Sequence, residues 1–571
     1  MKLDHLDRKD PNLIRDDVKE FFDELKSKDI SSLSDLEDFV KGVSDIDSLL
    51  SANHAWRYIR QSCDTANQSY KKSFDDFIEN IQPIWIKVSD QLNKKMAYND
   101  FVDQLDTRYK ILIRWVKSSL ELYREENIPL FIQEQKLEAE YENIISQMTI
   151  RHEDKEITMQ QASKLLESKD RNLRKIIYDK IVDRRSQGKE KIHDILDQLI
   201  KIRTEIANNC WYDTYTQYSW IAKWRYDYTI GQINQFHDSI REIFVPILEK
   251  INQRREEKLW YKLMPYDYSV NIYNYEEIPP YKDEDDLINK TISCLDRIYK
   301  WFGDHIKYLR GQNMLDLTTR KSKSTWWYNY GISGTDKSFI FMNATNNWYG
   351  MMTMLHESGH ALHHHYTKGV FLDSLRHPPS EICEVASMSM ELMTLDHLDT
   401  FIQDQKTLQI SKINKLEDDL GLFQRMSKID LFQQWLYNNP DHTHQDREDK
   451  WDYLCKQYPY GMWLRSYDSH KSYDDIGLLR QKQSHIFSHP FYYIEYGIAQ
   501  LGAMSTWMGY MKDPEQAVSD YINFMKLWYT VTLPELFEAW GMELRFDKEY
   551  IWQLTNFAYD RLQQLYNDID S

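Results

Sequence analysis

The 571-residue chain is long enough for several domains or for one large enzyme, and it contains only 17 Gly and 14 Pro. So few helix breakers favour long helices. The formal net charge of −18 argues against nucleic acid and against an anionic membrane as partners.

The compartment is predicted from apolar runs and cysteines. No uninterrupted apolar run approaches the ~20 residues that a membrane span needs, and the charged N-terminal residues do not resemble a signal peptide. The five cysteines are scattered and include no CxxC pair, which favours a reducing compartment over a disulfide framework. We therefore expect a soluble, cytoplasmic protein without a membrane partner.

The first 150 residues predict one helix after another and contain no group that suggests chemistry. We interpret residues 1–150 as an N-terminal helical lobe and residues 151–571 as the catalytic region. Only Ser338–Asn343 has the pattern of a strand. No linker rich in Pro, Gly or Ser divides the chain, so the lobes should be closely joined.

The segment after this strand contains His356, Glu357 and His360 in an HExxH pattern. Residues four apart lie on one face of a helix, so the two imidazoles can bind one metal ion. Glu357 lies beside them and is close enough to take a proton from an attacking water. Thr345 or Asn346 is the predicted cap of this helix.

A catalytic zinc ion needs a third protein ligand and one open position. The next predicted helix starts at His377-Pro-Pro-Ser380, and it offers Glu384, with Glu381 as a rival in its first turn. His363 shares the face of His360 and is an alternative in a three-histidine site. Glu391 lies on the face of Glu384, and we place it behind the ligands.

At these residues the chain resembles the thimet oligopeptidase and oligoendopeptidase F family of zinc metallopeptidases. Members carry HExGH, followed some 25 residues later by a glutamate in a Glu-x-x-Ser context. The matching residues are His356-Glu357-Ser358-Gly359-His360 and Glu384-Val-Ala-Ser387. The resemblance therefore selects Glu384 over Glu381 as the third ligand of one Zn²⁺ ion.

The resemblance covers about residues 190–550, whereas the N-terminal part agrees only in being helical. Phe339–Asn343 resembles the family's strand before the zinc helix, and His485–Gln500 resembles its Tyr-rich active-site segment. The carried-over roles make His485 and Tyr496 donors to the tetrahedral intermediate, with Tyr493 as a helper. From the residues alone, a packed aromatic stripe is the better explanation of these rings, because aromatic side chains dominate protein cores, and periodicity does not exclude His489.

One departure from the family pattern concerns the loop before the strand. The family often has Gly-Gly-Tyr there, whereas this chain has Trp326-Trp-Tyr328, which leaves the cleavage preference open. The resemblance implies a mainly α, two-lobed fold around a deep substrate channel, with a small β element beside the zinc helix. It implies a zinc endopeptidase of short peptides. A dipeptide-releasing carboxypeptidase of similar fold and a non-catalytic zinc protein are the alternatives.

Overall fold

The structure is a computed structural model that describes residues 15–273, 278–324, 327–376, 380–459, 478 and 480–571. Contacts between Cα atoms divide the chain into two compact units, and each unit is assembled from stretches that are distant in sequence. Unit 1 comprises Met1–Tyr123, Ile278–Leu408 and Ala499–Leu544, and unit 2 comprises Arg124–Glu277, Gln409–Ile498 and Arg545–Ser571. The predicted division into residues 1–150 and 151–571 is a division of the sequence, which these units do not test. It therefore stays a prediction.

The described part of the chain is mainly helical, as predicted. In chain order the α-helices are α1 (Arg15–Ser27), α2 (Leu33–Cys63), α3 (Gln68–Asp76), α4 (Gln82–Ala97), α5 (Lys110–Leu122), α6 (Ile128–Ser146), α7 (Met159–Leu165), α8 (Arg171–Ser186), α9 (Lys189–Asn209), α10 (Tyr215–Ala222), α11 (Ile230–Leu259), α12 (Glu284–Ile298), α13 (Lys300–Gly311), α14 (Trp348–Tyr366), α15 (Ser380–Cys383), α16 (Val385–Met393), α17 (Gln405–Asn438), α18 (His444–Gln457), α19 (Ser484–Phe487), α20 (Tyr493–Lys512), α21 (Pro514–Leu527), α22 (Leu533–Ala539) and α23 (Lys548–Asp570).

The helices α1 to α6 fall within the first 150 residues, which confirms the prediction of successive helices there. Side-chain caps define many helix starts. At α11, for example, Thr229 accepts a hydrogen bond from the backbone N–H of Gln232, whose side chain reaches back to the cap. Among the described helices, none is both long enough and apolar enough to cross a bilayer. All five cysteines are free thiols.

Strands are few and short. In unit 2, β1 (Thr149–His152) and β2 (Lys155–Thr158) form an antiparallel hairpin. In unit 1, β3 (Leu315–Thr318), β4 (Tyr328–Gly331) and β5 (Ser338–Ala344) form a sheet in the order β3-β5-β4, with β3 parallel and β4 antiparallel to β5. The prediction of β5 is confirmed, but the prediction of a single strand is wrong. The other four strands have four residues each, too few to show an alternating pattern.

The buried strand β5 leads into α14, which carries the HExxH residues. Helix α14 is capped by Asn347, whose side-chain oxygen accepts a hydrogen bond from the Gly350 N–H at 2.9 Å. The predicted cap at Thr345 or Asn346 is wrong, because Asn346 has a left-handed backbone with φ of 37°. A cap residue instead needs the extended backbone that Asn347 has.

The helix predicted after α14 is interrupted. Helix α15 ends at Cys383, Glu384 lies at the junction with a φ of −92°, and α16 starts at Val385. The start predicted at His377-Pro-Pro-Ser380 lies partly outside the described residues, which exclude 377–379. The interruption places Glu384 at the N-terminal end of α16, where it precedes the helix that packs against α14.

Candidate functional site

Three of the predicted ligands converge in unit 1. His356 and His360 lie one turn apart on α14, and their Nε2 atoms are 3.2 Å apart. Oε2 of Glu384 lies 3.3 Å from His356 Nε2 and 3.6 Å from His360 Nε2. These are the residues within the described ranges whose His, Cys, Asp or Glu ligand atoms cluster closely enough to hold a metal ion. The side chains retain 15–23% of their exposure, so the cluster can be reached from solvent.

The cluster is held in position by neighbouring side chains. Oε1 of Glu391 lies 2.6 Å from Nδ1 of His356. A proton on Nδ1 is thereby directed to Glu391, and the Nε2 lone pair is left for a metal. The Ser387 hydroxyl donates to the Glu384 carbonyl at 2.9 Å and to its carboxylate at 3.3 Å, which restrains the carboxylate rotamer.

The protonation of the cluster follows from these contacts. Burial raises the pKa of Glu384, but hydrogen bonds with His356 and His360 outweigh it and hold the pKa well below its usual value. Burial lowers the pKa of His356, but the hydrogen bonds to Glu384 and Glu391 raise it well above its usual value. Glu384 is therefore ionised, which is the form that binds a metal.

Gly359, within the same turn, allows α14 to approach α16 closely. A Cβ atom at this position would lie 2.6 Å from Ser387 Cα and 2.8 Å from the Ala386 carbonyl oxygen. Both obstructing atoms belong to the backbone, so no side-chain rotation relieves the contact. The sequence contained a signal for this contact, a glycine in the middle of a helix, but the packing role was not predicted from it.

Glu357 lies next to His356 and points into the protein. Only 2% of its surface is exposed, and its Oε2 has no hydrogen-bond partner among the described residues. Burial raises the pKa of the Glu357 carboxyl above its usual value, and the charges of His360 and His356 oppose this. A buried carboxylate with a raised pKa and an uncommitted oxygen has the properties of a general base. Asn329 of β4 donates to the Glu357 carbonyl at 3.4 Å.

The rival ligands do not join the cluster in the described structure. The ring of His363 is buried and packs against Trp528, with centroids 3.8 Å apart, and against Phe524. Glu381 is buried on α15, and neither its carboxylate nor the Cys383 thiol lies with the clustered ligand atoms. In the described structure the His363 ring therefore packs among aromatic side chains and does not lie with the clustered ligand atoms.

The Tyr-rich segment belongs to unit 2 as far as Ile498, and its aromatic side chains are grouped together there. The ring of His485 lies 4.9 Å from the Tyr493 centroid and 6.0 Å from that of Tyr496. Tyr493 and Tyr496 are 5.4 Å apart, as expected for two residues three apart on α20. The ring of His489 is 6.3 Å from His485, and this residue is more exposed than the others.

Local contacts fix the chemical form of His485. Burial lowers the pKa of its imidazole to about 4, and His489 contributes in the same direction. The Gln483 amide lies 2.7 Å from Nδ1 of His485; with Nδ1 as acceptor, the proton is on Nε2. The group therefore offers a neutral N–H donor and phenol hydroxyls. A Cβ at Gly497, the residue after Tyr496, would lie 2.3 Å from Met426 Cε, so the flexible Met426 side chain would have to move.

Two families of known proteins match the chain over most of its length. A family described as "Peptidase family M3" matches residues 164–555, and one described as "Peptidase M3 N-terminal domain" matches residues 7–123. Oligopeptidase PepF of Bacillus subtilis (strain 168) is 22% identical over 393 residues, which are 65% of this chain and 54% of that protein. The chain spans about half the length of the curated relatives that it matches.

Solved structures share the fold over almost the whole chain. The structure of PZ peptidase A with inhibitor 2 is 24% identical, covers 96% of this chain and 97% of its own, and has a TM-score of 0.86. A protein described as an oligoendopeptidase F from Bacillus anthracis str. Ames is 21% identical, covers 96% of both chains, and has a TM-score of 0.82. At these identities the likeness concerns the fold.

Proposed function

The chain belongs to peptidase family M3, and from this we propose that it is a zinc-dependent endopeptidase that hydrolyses internal bonds of short peptides. The observation that carries the proposal is the convergence of His356, His360 and Glu384, whose charges act on the buried carboxylate of the adjacent Glu357. A structural metal site has no need of a buried base with an uncommitted oxygen. This feature favours catalysis over a non-catalytic zinc protein.

Zinc fits the donor set. Two imidazoles and one carboxylate are the ligands of many catalytic zinc sites, with bonds of about 2.0–2.2 Å, so neighbouring ligands of a tetrahedral ion lie roughly 3.3–3.6 Å apart. The three separations here are 3.2, 3.3 and 3.6 Å. When bound, zinc would act as a Lewis acid that acidifies water and polarises a peptide carbonyl.

The chain's own groups would move the protons. Glu357 takes a proton on its buried carboxylate as water attacks the peptide carbonyl, and then delivers it to the leaving amine. The raised pKa of Glu357 makes it a stronger base than an exposed glutamate. We further propose that His485 and Tyr496 donate hydrogen bonds to the developing oxyanion, with Tyr493 supporting their packing. Because these donors are neutral, no other anion has to be removed from them before they stabilise the charge of the oxyanion.

Short peptides are the proposed substrates. This rests on family membership and on relatives that are named oligopeptidase and oligoendopeptidase F. The family likeness extends through the N-terminal helices, in which the sequence offers no chemistry of its own. A structural role for these helices in limiting access is consistent with a preference for short chains. A cytoplasmic location stays a prediction.

One digestion experiment tests the reaction class. A short peptide with free ends, the same peptide with a blocked C-terminus and a folded protein are incubated with enzyme that has been stripped by a chelator or reloaded with Zn²⁺. Mass spectrometry then locates the cleaved bonds. We expect internal cleavage of both peptides by the zinc-loaded enzyme only, and slow attack on the folded protein.

The other outcomes separate the alternatives. Cleavage that requires a free C-terminus and releases dipeptides would replace the endopeptidase by a carboxypeptidase. No cleavage of any peptide by enzyme that holds one zinc ion per chain would favour a non-catalytic zinc protein. Equal rates for the folded protein and the peptide would refute the size limit.

A further inference from the structure

The segment Phe487–Phe491 joins the two halves of the aromatic group in unit 2. His485 precedes it on α19, and Tyr493 and Tyr496 follow it on α20. Four of its five residues are outside regular helix, and Phe491 has a left-handed backbone with φ of 62°. That conformation is uncommon for a bulky residue and persists only where the surroundings impose it. The distance between His485 and Tyr496 therefore depends on what fixes this segment.

A buried arginine binds the end of the segment. Arg225 donates from Nη2 to the Phe491 carbonyl at 2.5 Å. The same guanidinium donates from Nε and Nη2 to the carboxylate of Glu495, and both side chains are completely buried. Glu495 immediately precedes Tyr496. One planar group therefore ties the left-handed residue to the first turn of α20.

A second buried arginine binds the start of the segment. Arg203 of α9 donates from Nη2 to the Phe487 carbonyl at 2.5 Å and from Nη1 to the Tyr437 hydroxyl at 2.8 Å. Its charge is balanced by Glu134 and Glu138 of α6, at 2.6 and 2.9 Å. The two ends of one short segment are therefore each held by a buried guanidinium that is paired with at least one carboxylate.

We propose that Arg203 and Arg225 are positioning residues that set the geometry between His485 and the phenol of Tyr496. The inference rests on the proposed oxyanion role of His485 and Tyr496. Both guanidinium groups are completely buried and are not placed in contact with substrate by this proposal. Each acts by holding one carbonyl of the connecting segment while a carboxylate neutralises its charge, so that the donors reach the developing oxyanion without reorganising.

The test is a double-mutant cycle between Arg225→Lys and Tyr496→Phe. Lysine keeps the charge beside Glu495, but it lacks the planar fork that serves the carboxylate and the Phe491 carbonyl together. We expect Arg225→Lys to lower kcat at least ~10-fold with little change in KM, because an interaction made only in the transition state is lost. In the Tyr496→Phe background the same change should have almost no further effect.

Arg174→Lys is the matched control. Arg174 is also a buried arginine of unit 2, paired with the fully buried Asp267 at 2.6 Å, and it donates to the Ser168 carbonyl at 2.7 Å. Its hydrogen bonds and its ion pair within the described residues go to Ser168, Tyr261 and Asp267, outside the Phe487–Phe491 segment. Both lysine variants should lose comparable thermal stability, and only Arg225→Lys should lose kcat. Should Arg225→Lys not fold, the apolar pair Arg225→Met with Glu495→Leu is measured in the same cycle, since replacing both partners leaves no unpaired charge.

The outcomes are distinct. Multiplicative losses of kcat in the Arg225→Lys, Tyr496→Phe double variant would overturn the positioning role, as would an equal loss in Arg174→Lys. Either result leaves the oxyanion role intact if Tyr496→Phe alone is impaired. A Tyr496→Phe enzyme with wild-type kcat would instead refute the oxyanion role, and with it the inference that rests on it.

Discussion

Gly359→Ala tests whether the close contact between α14 and α16 sets the geometry of the metal cluster. The new Cβ would lie 2.6 Å from Ser387 Cα and 3.0 Å from Ser387 N. Carbon atoms in contact prefer about 3.5–4.0 Å, so the two helices must separate by roughly 1 Å. Metal sites tolerate errors of only about 0.2 Å in ligand distance. Because Glu384 lies three residues before Ser387, this separation should draw the carboxylate away from the two imidazoles.

The size of the effect follows from two opposing contributions. Overpacking of a buried contact costs about 1–3 kcal/mol, and the upper part of this range applies because the obstructing atoms are backbone. Alanine regains up to ~1 kcal/mol of helix propensity over glycine. The net loss is then about 1–2 kcal/mol. This figure applies to the free energy of unfolding. Zinc affinity falls only by the part of the overpacking cost that the zinc-bound helix spacing imposes, and about 1.4 kcal/mol of it corresponds to a roughly tenfold loss.

Competition with a fluorescent chelator measures the zinc affinity of the variant, and thermal unfolding with and without zinc measures its stability. Gly311→Ala is the control, because a Cβ at Gly311 on α13 meets nothing within 4 Å. The control should keep its zinc affinity and unfold at the same or a higher temperature. If Gly359→Ala binds zinc as tightly as Gly311→Ala does, the helix contact does not set the cluster.

The remaining predictions concern side chains around the cluster. Glu384→Ala should lower the zinc content of folded protein far more than Glu381→Ala, because only the first removes a ligand; equal zinc content in both would count against the assignment. Glu391→Gln should weaken zinc binding or activity by about 10–100-fold, because Glu391 accepts the proton of His356 Nδ1 and so orients the imidazole. Unchanged zinc affinity and turnover would show that Glu391 does not orient His356. His363→Phe should keep both zinc and stability, because the His363 ring packs against aromatic neighbours and its Nε2 has no partner among the described residues. Loss of the metal from this variant would make His363 a ligand.

The sequence predicted the grouping of the metal ligands because the helix period places residues four apart on one face. His356 and His360 needed no further information. The choice of Glu384 did need further information, because Glu381 and Glu391 share its face on an ideal helix. Only the family likeness separated Glu384 from these two. The structure adds a reason that periodicity does not contain: the helix is interrupted at Glu384, and Glu391 instead binds His356 from the other side.

Other features depended on contacts between distant parts of the chain. The four-residue strands β3 and β4 form only because β5 lies between them, so neither carries a pattern of its own. Each unit is assembled from three separate stretches of the sequence, and no local sequence pattern indicates this division. Helical spacing predicts that Tyr493 and Tyr496 point the same way, and the family resemblance added His485. The buried arginines that hold the connecting segment come from other elements, α9 and the loop before α11.

The most direct test of the central proposal is the turnover of the zinc-loaded Glu357→Gln variant on a short peptide substrate, with bound zinc measured in the same sample. Glutamine keeps the size of the side chain and removes the base, while His356, His360 and Glu384 remain as ligands. The account predicts one zinc ion per chain and a loss of turnover of at least ~10²-fold, the usual size of a general-base effect. Near-normal turnover by a variant that holds its zinc would contradict it.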